Sequence, residues 1–267
     1  MKVFISADIE GITTTTSWEE GNSSHPSYGP HAKQMTEEVL AAIAGAKAAG
    51  ATEIVVRDAH GTGRNIDASR MPSGVTIIRG WSGSPYSMAE GIDSTFDAAM
   101  FVGYHSASGK AGNPMSHTKS RNHVYFKING SIIGEFLLYS YAAAMEGVPT
   151  VFLSGDKMLC EDFKDLHPML ITCPVKEGLG AMTKNYSPED TLKNIRKLSQ
   201  KALEQNLENA LIELPKFFEA EIYFKEHEQA ERVSHFPGVS KISDNIVKFT
   251  SDSYYEILRT TNWIIYS

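Results

Sequence analysis

At 267 residues, 42% of them hydrophobic and 21% charged, the chain can bury a sizeable core in one large domain or two modest ones. A formal net charge of −7, with no cluster of Lys and Arg interleaved with aromatics, argues against a nucleic-acid partner. Cys160 and Cys173 give neither a disulfide framework nor a thiolate zinc spacing, and no run is long and apolar enough for a membrane span, so a cytoplasmic chain with no membrane partner is expected.

Val3 to Ile5 is an apolar, β-prone run that predicts a first strand buried on both faces. It ends in Asp8-Ile9-Glu10-Gly11, where Asp8 and Glu10 would project to one side of an extended chain. These acids also break the run too early for a leader peptide. Ile12 to Tyr28 is a long polar loop. A helix is predicted from Pro30 to Ala49 by Met35, Val39, Ile43 and Ala46 at helical spacing, then a strand over Thr52 to His60. This β-α-β order implies parallel strands and a right-handed crossover. Further strands are predicted over Val75 to Arg79 and Ala98 to Ser106, with a helical turn over Pro85 to Glu90 between them.

His123 to Ile133 reads as a hairpin around Asn129-Gly130, and Gly134-Glu135 opens an apolar helix over Phe136 to Met145. Val148 to Asp156 is a strand, Glu161 to Leu166 a short helix and Leu170 to Val175 a strand. Ser187-Pro188-Glu189-Asp190 starts a helix that runs to about Asn209. Beyond it come a strand over Ala220 to Phe224, a helix over Glu226 to Val233, a strand over Ile242 to Phe249 and a closing helix over Ser253 to Ile265. The expected architecture is a three-layer α/β/α domain with a mostly parallel sheet over residues 1–210. A smaller α+β unit over 211–267 would supply a lid or contacts between subunits.

Asp8, Glu10, Asp58, His60 and His105 all fall at the tips of predicted strands. In an open parallel sheet those tips lie along one edge, where ligands bind, so residues far apart in sequence can converge. Singly, each fits a polar strand end as well as a site. Together they would bury several carboxylates, which is costly without a cation. Oxygen and nitrogen ligands alone suit zinc, with manganese or cobalt as rivals, and the number of ligands could hold two ions with one carboxylate bridging. Glu135 fits either a further ligand or a first-turn acid favoured by the helix dipole. His117, in the loop Pro114-Met115-Ser116-His117, fits either an exposed histidine or a proton shuttle.

The pieces Ser6-Ala7-Asp8-Ile9-Glu10-Gly11, Asp58-Ala59-His60, Ser87-Met88-Ala89-Glu90-Gly91, Phe101-Val102-Gly103-Tyr104-His105, Met115-Ser116-His117 and Ile128-Asn129-Gly130 through Gly134-Glu135 occur in a telling order. In order and spacing they resemble the zinc-dependent D-aminopeptidases of the DppA type, first described as dipeptide-transport operon proteins. The resemblance covers about residues 1–156 and continues more weakly beyond. It implies two zinc ions per subunit, with Asp8 bridging, Glu10 and His60 completing one site, and His105 and Glu135 the other. Asp58 would orient His60 or a ligand loop. His117 matches the family's catalytic histidine; a proton-transfer or oxyanion-stabilising role suits it, because an activated water is already a capable nucleophile.

The implied activity is removal of the N-terminal residue from short peptides, D-alanyl peptides among them, by a homo-oligomer that the family builds as a decamer. Loops 13–28 and 106–114 depart from the family's familiar members, and loops of this kind set specificity. A related binuclear metallo-amidase or L-aminopeptidase is the nearest alternative. A cytoplasmic dipeptide-binding protein is the non-enzymatic one, and it would have no need of a His-carboxylate cluster at its strand tips.

Overall fold

The alternation of the N-terminal run sorts its side chains between two cores. In the computed structural model, which describes residues 1–163 and 167–267, strand β1 (Lys2–Ala7) turns Val3, Ile5 and Ala7 toward one core and Phe4 toward the other. Helix α1 (Trp18–Gly21) interrupts the expected long loop, and α2 (Tyr28–Ala48) returns along the first face. Strands β2 (Glu53–Asp58), β3 (Val75–Ile78) and β4 (Ala98–Tyr104) follow. Next come β5 (His123–Ile128), β6 (Ser131–Ile132), α3 (Glu135–Met145) and β7 (Thr150–Asp156).

The helix expected over Glu161 to Leu166 begins earlier, as α4 (Lys157–Asp162), because the Asp156 side chain caps it by accepting from Leu159 N; residues 164–166 lie outside the described residues. Strand β8 (Ile171–Leu179) is longer than expected because it turns into an antiparallel partner, β9 (Met182–Asn185). Helix α5 (Pro188–Leu203) starts where its Ser-Pro-Glu-Asp signature places it, with Ser187 accepting from Asp190 N.

The main sheet has the order β3-β2-β1-β4-β7-β8-β9 and is parallel except for β9. Helices α2 and α5 pack together over one face, where Val39, Ile43, Ile195 and Leu203 meet Val3 and Ile5. On the other face α3 buries Phe136 and Leu138 against Phe4 and Phe101. The expected three-layer architecture with a mostly parallel sheet is the one observed.

Beyond residue 210 the chain forms β10 (Phe218–Phe224), α6 (His227–Ser234), β11 (Ser240–Lys241), β12 (Ile246–Ser251) and α7 (Tyr254–Ile264). The strand expected over Ile242 to Phe249 starts later, as β12, because residues 242–245 form the turn by which it pairs antiparallel with β11. This second sheet has the order β11-β12-β10-β5-β6, so the hairpin of residues 123–132 is built into it beside β10.

The main sheet reverses its strand order between β1 and β4. The chain winds from β1 to β2 and β3 on one side, then from β4 to β7 and β8 on the other. At such a switch point the loops leaving two neighbouring strands part and open a crevice. Here the parting backbones touch first: Asp8 N donates to Val102 O at 2.9 Å and Gly11 N to Gly103 O at 2.8 Å. A Cβ on Gly11 would lie 1.7 Å from Tyr104 O, and one on Gly103, whose φ is +73°, would lie 2.3 Å from Asp8 O. Only glycine fits either position.

Candidate metal centre

Asp8, Glu10, His60, His105, His117 and Glu135 meet in the crevice at the β1/β4 switch point. Asp8 follows the last residue of β1, and Glu10 sits in the turn after it; strand alternation has ended there, so the turn toward Gly11 brings the two carboxylates together. His60 lies two residues past β2, His105 one past β4, and Glu135 opens α3 behind Gly134. Asp8, Glu10, His105 and Glu135 are each no more than 3% exposed.

The carboxylates bracket the imidazoles. His60 Nδ1 lies 3.2 Å from Asp8 Oδ1 and 2.9 Å from Glu10 Oε2. His105 Nε2 lies 3.4 Å from Asp8 Oδ2 and 3.3 Å from Glu135 Oε2. His117 Nε2 lies 3.6 Å from Glu135 Oε1.

Each imidazole is tied by its far nitrogen to a main-chain carbonyl. His60 Nε2 donates to Gly21 O at 2.8 Å, and His105 Nδ1 and His117 Nδ1 donate to Ser106 O and Met115 O at 2.9 Å. A carbonyl only accepts, so those nitrogens carry the hydrogens. In the neutral rings the other nitrogens are then bare, and all three face carboxylates. Metal-binding histidines are held in this way.

Several of the facing atoms have no hydrogen-bond partner: Asp8 Oδ2, Glu10 Oε2 and His105 Nε2 are buried and unpaired. Burying such atoms unsatisfied is costly. With protons alone to share, burial opposes every charge, yet mutual attraction prevails. Glu10 and Asp8 hold His60 well above the usual imidazole range, Glu135 and Asp8 do so for His105, and the Asp8 carboxyl falls well below its ordinary value. Burial raises the Glu135 carboxyl, but His117 and His105 bring it down to about 2. A cation shared by these atoms would satisfy all of them, and a donor set of carboxylate oxygen and imidazole nitrogen fits zinc. Ligand atoms of Asp8, Glu10 and His105, and separately of His105, His117 and Glu135, lie within 4.8 Å of one another.

Asp58 stands apart from this cluster. Its carboxylate accepts from Asn65 N, Ile66 N and Asn65 Nδ2 at 2.5 to 2.7 Å, and Asn65 Nδ2 also reaches His60 O. It therefore braces the loop that carries His60 and does not touch the ring.

The supporting side chains that sequence reasoning missed lie behind the carbonyls. Asp156, at the tip of β7, accepts from Ser106 N and Ser106 Oγ at 2.6 Å and so fixes the residue whose carbonyl holds His105. Asn113 and the fully buried Lys176 both donate to Glu10 O, at 2.8 and 2.5 Å. Burial brings the Lys176 pKa down to about 8. Trp18 packs edge-on against His117, at 5.2 Å between ring centroids. Asp156 carries the same polar-tip signal as the other strands, whereas Lys176 lies one residue past the strand expected over Leu170 to Val175. Nothing in the sequence marked Asn113 or Trp18.

A cavity of about 480 Å³ opens onto the cluster, walled by Trp81, Ser87 and Lys119 and, from α7 and just beyond it, by Asn262 and Tyr266. That is a size for a small ligand. Among the described residues, no helix is long and apolar enough to cross a membrane.

A family model described as Peptidase_M55, D-aminopeptidase, matches residues 1–263. The chain is 30% identical over 258 residues to a D-aminopeptidase of Bacillus subtilis (strain 168), an alignment covering 96% of this chain and 93% of that protein. Its fold is similar, with a TM-score of 0.94 and 28% identity over 100% of this chain and 97% of the other, to a solved structure described as Zn-dependent D-aminopeptidase DppA from Bacillus subtilis, a self-compartmentalizing protease. The match of family and fold from one end of the chain to the other shows that it belongs to the D-aminopeptidase family.

Proposed function

We propose that this zinc-dependent D-aminopeptidase removes the N-terminal residue of short peptides at a binuclear centre held by Asp8, Glu10, His60, His105 and Glu135. The observation that carries the reading is the division of one carboxylate: Asp8 Oδ1 faces His60, and Asp8 Oδ2 faces His105. Asp8 is thus suited to bridge, with Glu10 and His60 serving one ion and His105 and Glu135 the other. When bound, zinc lowers the pKa of a coordinated water to about 7 and polarises a carbonyl.

His117 is the proton carrier in this reading. Met115 O fixes its Nδ1–H, so Nε2 is free to take a proton at the cavity wall and return it to the leaving amine. Trp18 and the stacked ring of His105 hold the imidazole in place. Asp58 keeps the His60 loop in register through Asn65. The free amino group of the peptide suits the acidic end of the cavity, beside Asp8 and Glu10.

Residues 211–267 serve as a wall over the site, supported by Asn262 and Tyr266 at the cavity. The same segment, with exposed Phe217 and Trp263, is suited to contacts between subunits of a homo-oligomer, a decamer by family resemblance. The cytoplasm is the compartment we infer, and both cysteines are free thiols.

The test is metal analysis of zinc-reconstituted protein together with a panel of D- and L-residue dipeptides and amino-acid amides. Two zincs per chain and cleavage of D-residue dipeptides are expected. Fewer than about one zinc per chain would overturn the metal centre. Dipeptide binding with no hydrolysis would favour the binding protein.

A further inference from the structure

We infer that Lys119 forms a subsite for the C-terminal carboxylate of the substrate and makes the enzyme prefer free dipeptides over peptides blocked at that end. The inference rests on the peptidase reading above and adds a residue that selects among its substrates.

Lys119 follows His117 by two residues and holds a left-handed backbone, with φ +62°. Side chains other than glycine adopt this conformation at a cost and mostly where the surroundings enforce it. Here the Lys119 N–H donates to Glu135 Oε1 at 2.5 Å, fixing the residue against the metal cluster. The side chain then runs along the cavity wall. Its ammonium donates to Ser87 Oγ at 3.2 Å, Tyr139 OH at 2.7 Å and Asn262 Oδ1 at 3.2 Å. The rings of Tyr139 and Tyr266 lie 5.5 Å from it.

All three partners are neutral, and no carboxylate among the described residues forms an ion pair with this ammonium. A half-buried cation held only by neutral oxygens remains under-compensated, and an entering anion relieves it. Two of the three partners, Ser87 and Asn262, also line the cavity, so the ammonium is within reach of what fills it. The cavity therefore has an acidic end at Asp8, Glu10 and Glu135 and a cationic site at Lys119. A dipeptide carries the matching pair of charges, an ammonium on the residue to be released and a carboxylate on the residue left behind. An amidated peptide lacks the second.

The rival cation is Arg121, which is exposed and stacked on Trp18, 4.2 Å from its ring centroid. It lines a neighbouring cleft that shares Glu10 and His60 with the cavity but not Lys119, Ser87 or Asn262.

The experiment compares kcat and KM for D-alanyl-D-alanine and its C-terminal amide, using zinc-loaded wild type, Lys119→Met, Lys119→Arg and Arg121→Ala. Melting temperature and zinc content serve as controls for folding. The wild type is expected to show a KM about tenfold to a hundredfold lower for the free dipeptide. Lys119→Met should raise that KM to the amide's value with kcat nearly unchanged, and Lys119→Arg should restore part of the difference. Should Lys119→Met not fold, the wild-type ratio and Lys119→Arg still decide.

Equal KM values for the two substrates in the wild type would overturn the subsite. So would an equal loss of kcat on both in Lys119→Met, which would mark an oxyanion role, or loss of discrimination in Arg121→Ala with Lys119 intact. Those outcomes leave the peptidase reading standing, whereas a wild type that cleaves neither substrate overturns that reading and the subsite with it.

Discussion

His105 and His117 lie ring over ring, with centroids 4.3 Å apart and planes 7° from parallel, and both turn a bare nitrogen toward Glu135. Two imidazolium ions cannot share this contact without strong repulsion. The stack thereby couples the charge of one ring to that of the other.

Replacing His117 by alanine should lower kcat by about 10² to 10⁴ while zinc content and melting temperature hold. Steady-state kinetics and metal analysis of the same preparation check this. A loss of one zinc instead would make His117 a ligand, through its grouping with His105 and Glu135.

Asp8 and Glu10 should differ in how many ions they control. Asp8→Asn is expected to weaken both zinc ions together, because each of its oxygens faces a different imidazole. Glu10→Gln should weaken mainly one, because Glu10 Oε2 faces His60. Chelator competition with zinc stoichiometry separates the two, and two tightly held zincs in both variants would contradict the assignment.

Asp156 should matter to the centre without touching it. Asp156→Ala leaves Ser106 N, Ser106 Oγ and Leu159 N without their acceptor. The expected cost is on the order of 3 kcal/mol of stability. Through the carbonyl that orients His105, zinc affinity should fall about tenfold to a hundredfold. Urea denaturation and chelator competition measure the two effects, and unchanged zinc affinity would confine Asp156 to the fold.

Glu38 makes stability depend on pH. It is fully buried in α2, accepts from Thr13 N at 2.9 Å and Gln34 Nε2 at 3.1 Å, and its Oε2 has no partner. Burial pushes its pKa up to about 7, above the ordinary 4.5. Between these values the unfolded chain loses a proton that the folded chain keeps. Stability therefore falls as pH rises through this window, by roughly 3 kcal/mol. Glu38→Gln, which mimics the protonated acid, should be more stable than wild type at pH 8 and no more stable at pH 4. Paired urea titrations at both pH values check the sign, and an equal gain at both would refute it.

Much of the fold is legible in the sequence because buried parallel strands and their helices carry strong patterns. Val3 to Ile5, Met35 to Ala46 and Ser187-Pro188 all read correctly for the reasons that shape them. The convergence of the candidate residues is legible because they sit at strand tips, where topology brings distant residues together. The cross-sheet role of His123 to Ile128 is not legible, since a hairpin pattern says nothing about which sheet it joins. Nor are Asn262 and Tyr266 at the cavity, because their approach depends on how α7 packs over α3. Lys119 lacked any signal, since a lysine in a polar loop looks like solvated surface. Asp8 and Glu10 converge through a turn that opens after β1 ends, so the alternation that pointed to them is not what brings them together.

The hairpin built into the second sheet has a consequence for the order in which the molecule is made. Strand β5 reaches the ribosome exit long before its partner β10, and Asp8 long before Asn262 and Tyr266, which wall the same cavity. Emerging chains fold as units once their partners are available. The main sheet can settle early, but β5 must wait with an open edge until β10 arrives, and the cavity has no far wall until α7 docks. A chain synthesised only as far as the main sheet therefore carries Asp8, Glu10, His60 and His105 without the cavity's far wall, and gains that wall only once residues 254–266 have emerged and docked.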